Sequence, residues 1–370
     1  MRIGINTRFL LNAKMEGFGW FTFEIAKRLV ENHPEHEFVF FFDRAFDDRF
    51  VFGKNVEPVV LFPPARHPIL FKWFFNYSIK NALKKHKIDV FFSPDGFLCL
   101  NTEIPQIGVI HDLNFEHYPE DLPASPRKYL RTYFPKFAKK AKFLLTVSHF
   151  SKSDIVSTYG INPEKIEVIW NGVNEKYHPI SNEEKIAVKQ KWTNGKDYFI
   201  FVGALHKRKN LVTLLKAFEQ FQTKNKDIDL VIVGAQLWKN DDQSLPQISD
   251  ELKKRIHFTG HLSLDELTQV MAAAYALTFV SYFEGFGIPL AEAMACGVPV
   301  IAGNRTSLPE VVGDAGILVD PFSVEEITAA LVRISEDTQL YEDLSQKGLE
   351  RSKWFSWDKA AEKVMEVIVR

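Results

Sequence analysis

Short hydrophobic runs recur along the chain, each followed by a stretch in which apolar positions return every three or four residues. The runs at 1–6, 37–42, 58–61, 90–92, 107–110 and 143–147 read as buried strands. The stretches at 20–30, 68–86, 126–140 and 150–158 read as helices. Residues 171–195 break this rhythm: they are polar, carry Pro179 and show little strand periodicity, which predicts a linker. The alternation then restarts. Strands are predicted at 198–203, 230–234, 256–259, 276–280 and 298–302, and helices at 210–222, 247–255, 264–274, 289–296 and 323–335. An amphipathic stretch at 354–370 ends the chain. Strands alternating with helices form parallel sheets covered on both faces, so the pattern predicts an α/β protein with two halves on one plan. In such sheets ligands bind beyond the carboxyl ends of the strands, which makes the residues just after each run the first candidates for chemistry.

At 370 residues the chain is long enough for two domains, and 46% hydrophobic with 25% charged residues is ordinary for a globular protein. The net charge of −1 implies no strongly polyanionic partner, so no nucleic acid is expected. The first 175 residues are mildly basic, about +3, and the rest mildly acidic, about −4. Cys99 and Cys296 lie far apart and read as reduced thiols of a cytoplasmic protein. No stretch approaches roughly eighteen uninterrupted apolar residues, and the first residues lead straight into a strand. Neither membrane spanning nor secretion is expected.

The most informative stretch is 276–303, ALTFVSYFEGFGIPLAEAMACGVPVIAG. It reads as strand, glycine loop, helix and strand, with Pro289 in the first helical turn and Gly297 as the stop. The backbone of 286–290 (Phe286, Gly287, Ile288, Pro289, Leu290) then forms a helix tip that suits a phosphate. Glu284 in the loop and Glu292 in the helix's first turn or so are acceptor-only groups, poor for gripping phosphate and good for gripping vicinal hydroxyls. Phosphate and polyol together suggest a sugar nucleotide. After the run ending at Gly203, the cations Lys207, Arg208 and Lys209 crowd a helix start, where they oppose the dipole unless an anion lies among them. Arg208 and Lys209 can neutralise a departing nucleoside diphosphate without a metal.

In the first half, Gly17-Phe18-Gly19 is a glycine loop ahead of a helix, and His111-Asp112 follows the run ending at Ile110. Asp112 is placed to orient the His111 ring. The aromatic stretch 70–77 and the lysines at 84, 85, 87, 139, 140 and 142 read as a core helix with a solvated basic face. The sharper alternative is a peripheral contact with anionic membrane. The sequence Asp227-Ile228-Asp229 precedes an apolar run and reads as a solvated turn, not a cation site; no other metal or P-loop spacing occurs, and no metal or cofactor is expected.

Several of these segments carry a resemblance. Glu284 to Glu292, E-G-F-G-I-P-L-A-E, resembles the Glu-x7-Glu signature of the large retaining glycosyltransferase family 4, the "glycosyl transferases group 1" of GT-B fold. V-I-H-D-L at 109–113 resembles that family's His-Asp segment, and F-V-G-A-L-H-K-R-K-N-L at 201–211 its G-x-x-x-x-R-K-N stretch. T-V-S-H-F-S-K at 146–152 resembles its V-S-x-x-S turn, equally readable as an N-cap Ser148 with Ser151. G-N-R-T-S-L-P-E at 303–310 resembles the loop before its E-V-V-G-D-A-G segment. The resemblance runs from about Thr146 to Asp320 and more loosely over 1–145. Glu16 and Trp20 depart from it, because family members often have Ser or Gly and Arg there.

The resemblance implies two Rossmann-like parallel-sheet domains facing a central cleft. Residues 1–174 would form the acceptor side, completed by a helix at 353–370 crossing back, and 175–352 would hold the nucleotide sugar. It implies a retaining, metal-independent transfer of a hexose, guessed as mannose, from a GDP- or UDP-linked donor to a glycan or lipid-linked acceptor in polysaccharide biosynthesis. Within it, His111 points at the donor sugar, Lys209 is the phosphate ligand with Arg208 its partner, and Gly203 belongs to the same segment. Gly17 and Gly19 face either the donor's diphosphate or the acceptor. Location is expected to be cytoplasmic, at most peripheral to the inner face of the membrane. Two alternatives stay open: a GT-B-shaped sugar-nucleotide epimerase, and a catalytically silent nucleotide-sugar binder.

Overall fold

A computed structural model of the chain describes residues 1–11, 15, 17–65, 67–204, 206–225, 227–234 and 249–370. The chain divides into two compact units, Met1–Asn171 with Ser356–Arg370, and Gly172–Phe355.

The first unit is built on a seven-stranded sheet. Its strands are β1 (Arg2–Asn6), β2 (Glu37–Phe42), β3 (Val56–Val60), β4 (Val90–Ser93), β5 (Gln106–Val109), β6 (Phe143–Thr146) and β7 (Ile166–Val168). All neighbours pair parallel, in the order β3-β2-β1-β4-β5-β6-β7. Burial on both faces is why β2, EFVFFF, is an unbroken apolar run instead of an alternation. The predicted 68–86 helix is continuous but changes pitch, with a wider-turned segment at Phe74–Ile79 that buries Phe74, Phe75 and Ile79. The last helix, Trp357–Val369, packs on the Gly17–Asn32 helix of this same unit. It buries Trp357, Ala360, Ala361, Val364, Met365, Val367 and Ile368, and Asp358 Oδ1 takes a 2.5 Å bond from Arg28 Nε.

The second unit is built on a six-stranded parallel sheet. Its strands are β8 (Asp197–Val202), β9 (Ile228–Val233), β10 (Ile256–Gly260), β11 (Ala276–Phe279), β12 (Val300–Gly303) and β13 (Gly316–Val319), ordered β10-β9-β8-β11-β12-β13. Each sheet therefore reverses its strand order once, at β1/β4 and at β8/β11. Crevices at such reversals are where open α/β sheets bind ligands.

Two expectations need correction. The 171–195 linker contains a helix, Asn182–Thr193, started by a reciprocal cap in which Ser181 Oγ accepts from Glu184 N and the Glu184 carboxylate accepts from Ser181 N. Asp229 is not in a solvated turn. It is buried within β9, bonded to Arg255 and His257 at 2.7 Å each, as a charge anchored against the neighbouring β10. The helix predicted at 247–255 is Asp250–Lys253, and 247–248 lie outside the described residues.

Candidate active site

The second unit's reversal point brings together groups 75 and 76 residues apart in sequence. After β8 the chain makes a tight turn at Lys207–Lys209, closed by Asn210 in the left-handed region, φ 58°. Asparagine tolerates that conformation because its short amide can bond locally. Here the Asn210 amide donates to the carbonyls of Val280 and Pro321, fixing the turn to the segments that follow β11 and β13. The turn presents Arg208 and Lys209 to Glu284. Arg208 Nη1 lies 2.7 Å from Glu284 Oε2 and donates to Phe283 O at 3.1 Å, and Lys209 Nζ lies 2.7 Å from Glu284 Oε1. Lys209 Nζ also sits 4.5 Å from the centre of the Phe279 ring. Gly203 borders this lysine's stem: a Cβ there would stand 3.4 Å from Lys209 Cε, an ordinary van der Waals contact.

Glu284 is 6% exposed. Burial alone would raise its pKa, but Arg208 and Lys209 outweigh that and hold the carboxyl below its ordinary range. Its backbone is clamped as well, with Thr306 Oγ1 accepting from Glu284 N at 3.1 Å and Ser307 Oγ donating to Glu284 O at 2.9 Å. Thr306 has φ 57°, a costly conformation for a β-branched residue.

The Ile288–Ala295 helix starts after Gly287, φ 95°, where a Cβ would meet Leu308 at 2.8 Å. Of the five tip positions, Pro289 has no N–H and Leu290 N is bonded to Gly287 O, so the donors at the tip belong to Phe286, Gly287 and Ile288. The Phe286 ring is core, packed edge-on against Phe355. Glu292 lies in the second helical turn, not the first. Burial raises its carboxyl to about 7, a rise that a hydrogen bond from the Tyr177 hydroxyl partly opposes. Glu284 and Glu292 thus have different partners and different charge states near neutrality. Sequence reasoning missed Tyr177 because it lies in the polar segment taken as linker.

In the first unit, His111 Nε2 lies 2.8 Å from Pro94 O, and the ring meets Phe18 and Phe21 edge-on. Burial lowers its pKa, favouring the neutral ring. With the Nε2 proton on a carbonyl, Nδ1 is the acceptor. Asp112 does not bond the ring; its carboxylate accepts from Asn114 N at 3.0 Å. Ser148 caps the helix at Ser151 N, and Ser151 Oγ donates to His111 O. Gly17 and Gly19 are not in a loop: they form the first turn of the Gly17–Asn32 helix. Gly19 is required sterically, since a Cβ would stand 2.8 Å from Phe9 O, whereas nothing lies within 4 Å of one at Gly17. Glu16 lies outside the described residues. Among the described residues, no cluster of three or more metal-binding side chains occurs, and no helix is long and apolar enough to cross a membrane.

Two family models match the chain, "Glycosyltransferase Family 4" over residues 15–177 and "Glycosyl transferases group 1" over residues 182–351. O-antigen chain mannosyltransferase B of Escherichia coli is 29% identical over 358 residues, covering 93% of each chain. O-antigen chain mannosyltransferase RfbU of Salmonella typhimurium is 32% identical over 233 residues, covering 62% of this chain and 61% of that one. Among solved structures, Anabaena HepE in complex with UDP-glucose superposes with a TM-score of 0.77 at 20% identity, covering 100% of this chain and 99% of that one. Sucrose-phosphate synthase from Thermosynechococcus elongatus also gives 0.77, at 19% identity over 99% and 98%. Both share the two-domain parallel-sheet fold. The chain is a glycosyltransferase of family 4, with the GT-B fold.

Proposed function

We propose that the enzyme transfers mannose from GDP-mannose, with retention and without a metal, to a glycan or lipid-linked acceptor of a surface polysaccharide such as O-antigen. The observation that carries this reading is the Arg208–Lys209–Glu284 cluster at the β8/β11 reversal. Two fixed cations beside a helix tip are a ready receptor for a diphosphate whose charge grows as it leaves. Glu284 would hold the sugar hydroxyls, Glu292 the ribose hydroxyls, and His111 Nδ1 would accept from a sugar hydroxyl. In the reaction, the bond from the anomeric carbon to the β-phosphate oxygen breaks. The acceptor oxygen bonds that carbon on the same face, and its proton passes to the departing diphosphate. Mannose is taken from the names of the two relatives described above, both transferases, which favours transfer over epimerisation or silent binding.

Incubating the enzyme with GDP-mannose, an α-mannoside primer and excess EDTA tests the reading. An α-linked product at an undiminished rate is expected. A β-linkage, or loss of turnover with the chelator, overturns it.

A peripheral contact with anionic membrane is part of the proposal. The helix that buries Phe74 and Phe75 leaves Trp73 and Tyr77 more than half exposed, their rings 4.9 Å apart, and Lys84, Lys85 and Lys87 are exposed nearby in sequence. Flotation with vesicles containing anionic lipid should recover more protein than with neutral vesicles. Equal recovery removes this part.

A further inference from the structure

Two consecutive residues after β12, Thr306 and Ser307, each occupy a locally unfavourable position. Thr306 stands in the left-handed region, φ 57°, where a β-branched side chain is strained and glycine or asparagine is the usual occupant. Ser307 precedes the short Leu308–Val312 helix, where a serine hydroxyl ordinarily accepts a bond from the first turn, yet it makes no such cap. Local rules broken side by side point to another group that both side chains serve. Their hydroxyls converge on one residue 22 and 23 positions away. Thr306 Oγ1 accepts from Glu284 N at 3.1 Å, and the buried Ser307 Oγ donates to Glu284 O at 2.9 Å. These two Glu284 atoms belong to different peptide groups, one on each side of its Cα. The first group is also held at its other end, because Phe283 O accepts from Arg208 Nη1 at 3.1 Å. Peptide groups are rigid planes, so fixing both of them fixes the Glu284 dihedrals and the direction in which its side chain leaves the backbone. The two segments approach closely: a Cβ on Gly303 would stand 2.6 Å from Ser281 O.

The Glu284 carboxylate itself is gripped by Arg208 and Lys209. If transfer draws those two cations to the departing diphosphate, the carboxylate needs another hold during the reaction. We propose that Thr306 and Ser307 are positioning residues: they keep Glu284 on the sugar through its backbone while its cationic partners serve the phosphate. The strained turn at Thr306 is what brings both hydroxyls to Glu284, which is why it persists where a glycine would relax it. This deepens the transfer reading and rests on it. A hold that matters most when charge has moved onto the phosphate acts in the transition state, so its loss falls on kcat and leaves donor KM nearly unchanged.

Three variants of the full chain test this. Thr306→Gly relieves the left-handed strain and deletes the hydroxyl, Thr306→Ser keeps the hydroxyl and loses only the methyl, and Ser307→Ala removes the second bond. Relief of strain offsets the lost bond in Thr306→Gly, so its thermal midpoint should stay within about 3 °C of wild type. With GDP-mannose and an α-mannoside primer, Thr306→Gly and Ser307→Ala should each lose about 10–100-fold in kcat, with donor KM changed by less than about threefold. Thr306→Ser should hold kcat within about threefold of wild type. Amide hydrogen exchange at Glu284, read without substrate, should be about tenfold or more faster in Thr306→Gly than in wild type or Thr306→Ser. Wild-type kcat in folded Thr306→Gly, a Thr306→Ser as slow as Thr306→Gly, a loss confined to KM, or unchanged exchange in Thr306→Gly overturns the proposal. A wild type that transfers no mannose sinks the transfer reading instead, and the exchange measurement still decides whether the two hydroxyls hold Glu284.

Discussion

At the scale of single residues, the two glutamates of one motif are set to different tasks by their surroundings. Glu284 is held ionised by two cations, whereas Glu292 titrates near 7 because it is buried with only a tyrosine hydroxyl for company. A carboxyl raised in the folded state from 4.5 to about 7 keeps its proton while the unfolded chain has lost it. Its contribution to stability is therefore full below pH 4.5, is lost as pH rises from 4.5 to about 7, and stays lost above. Glu292→Gln should remove this component of the slope in urea-denaturation midpoints across that window. If the ionised Glu292 accepts from ribose hydroxyls, the donor KM should fall as pH rises from about 6 to 8 in the wild type and stay flat in Glu292→Gln. The Glu pair and the Arg-Lys pair were legible as chemistry because their residue types and spacing are unusual. Their union was not, nor was the Arg8–Asp95 pair across 87 residues, because a pairing between strand ends depends on strand order, which a single sequence does not encode locally.

At the scale of elements, most strands were legible because central parallel strands are apolar throughout. The exceptions were β7 and β13, short edge strands with half-exposed positions that lack that signal. The helix at 182–193 announced itself only by its cap, Ser181 with Glu184, inside a segment whose polarity suggested a loop. The helix that opens at Gly17 separates two glycines by function. Gly19→Ala should destabilise the fold by about 1–3 kcal/mol, since the new methyl meets the Phe9 carbonyl and must push the helix outward. Gly17→Ala has open space and should be neutral or stabilising by up to about 1 kcal/mol through helix propensity. Urea titrations of the two variants check the contrast, and equal effects would refute it.

At the scale of the whole molecule, the chain leaves its first unit, builds the second, and returns its last helix to the first. Removing residues 356–370 takes from the first unit seven buried side chains and the Arg28–Asp358 ion pair that ties the last helix to the Gly17–Asn32 helix. With burial worth about 1.5–3 kcal/mol for a large apolar side chain, the five large ones, Trp357, Val364, Met365, Val367 and Ile368, make the loss comparable to the whole stability of a typical domain, about 5–15 kcal/mol. The truncated chain should lose the first unit's unfolding transition in calorimetry while Gly172–Phe355 still melts cooperatively. A truncated chain that keeps both transitions would contradict this division. The central claim, that Lys209 and Arg208 receive a nucleoside diphosphate, is tested most directly by titrating GDP and GMP into wild type and Lys209→Met by calorimetry. The account predicts a wild-type preference for GDP of about 10–100-fold, the worth of one or two charge-assisted bonds, collapsing toward unity in the variant. A preference left intact in Lys209→Met, or a wild type that binds GMP as tightly as GDP, would contradict it.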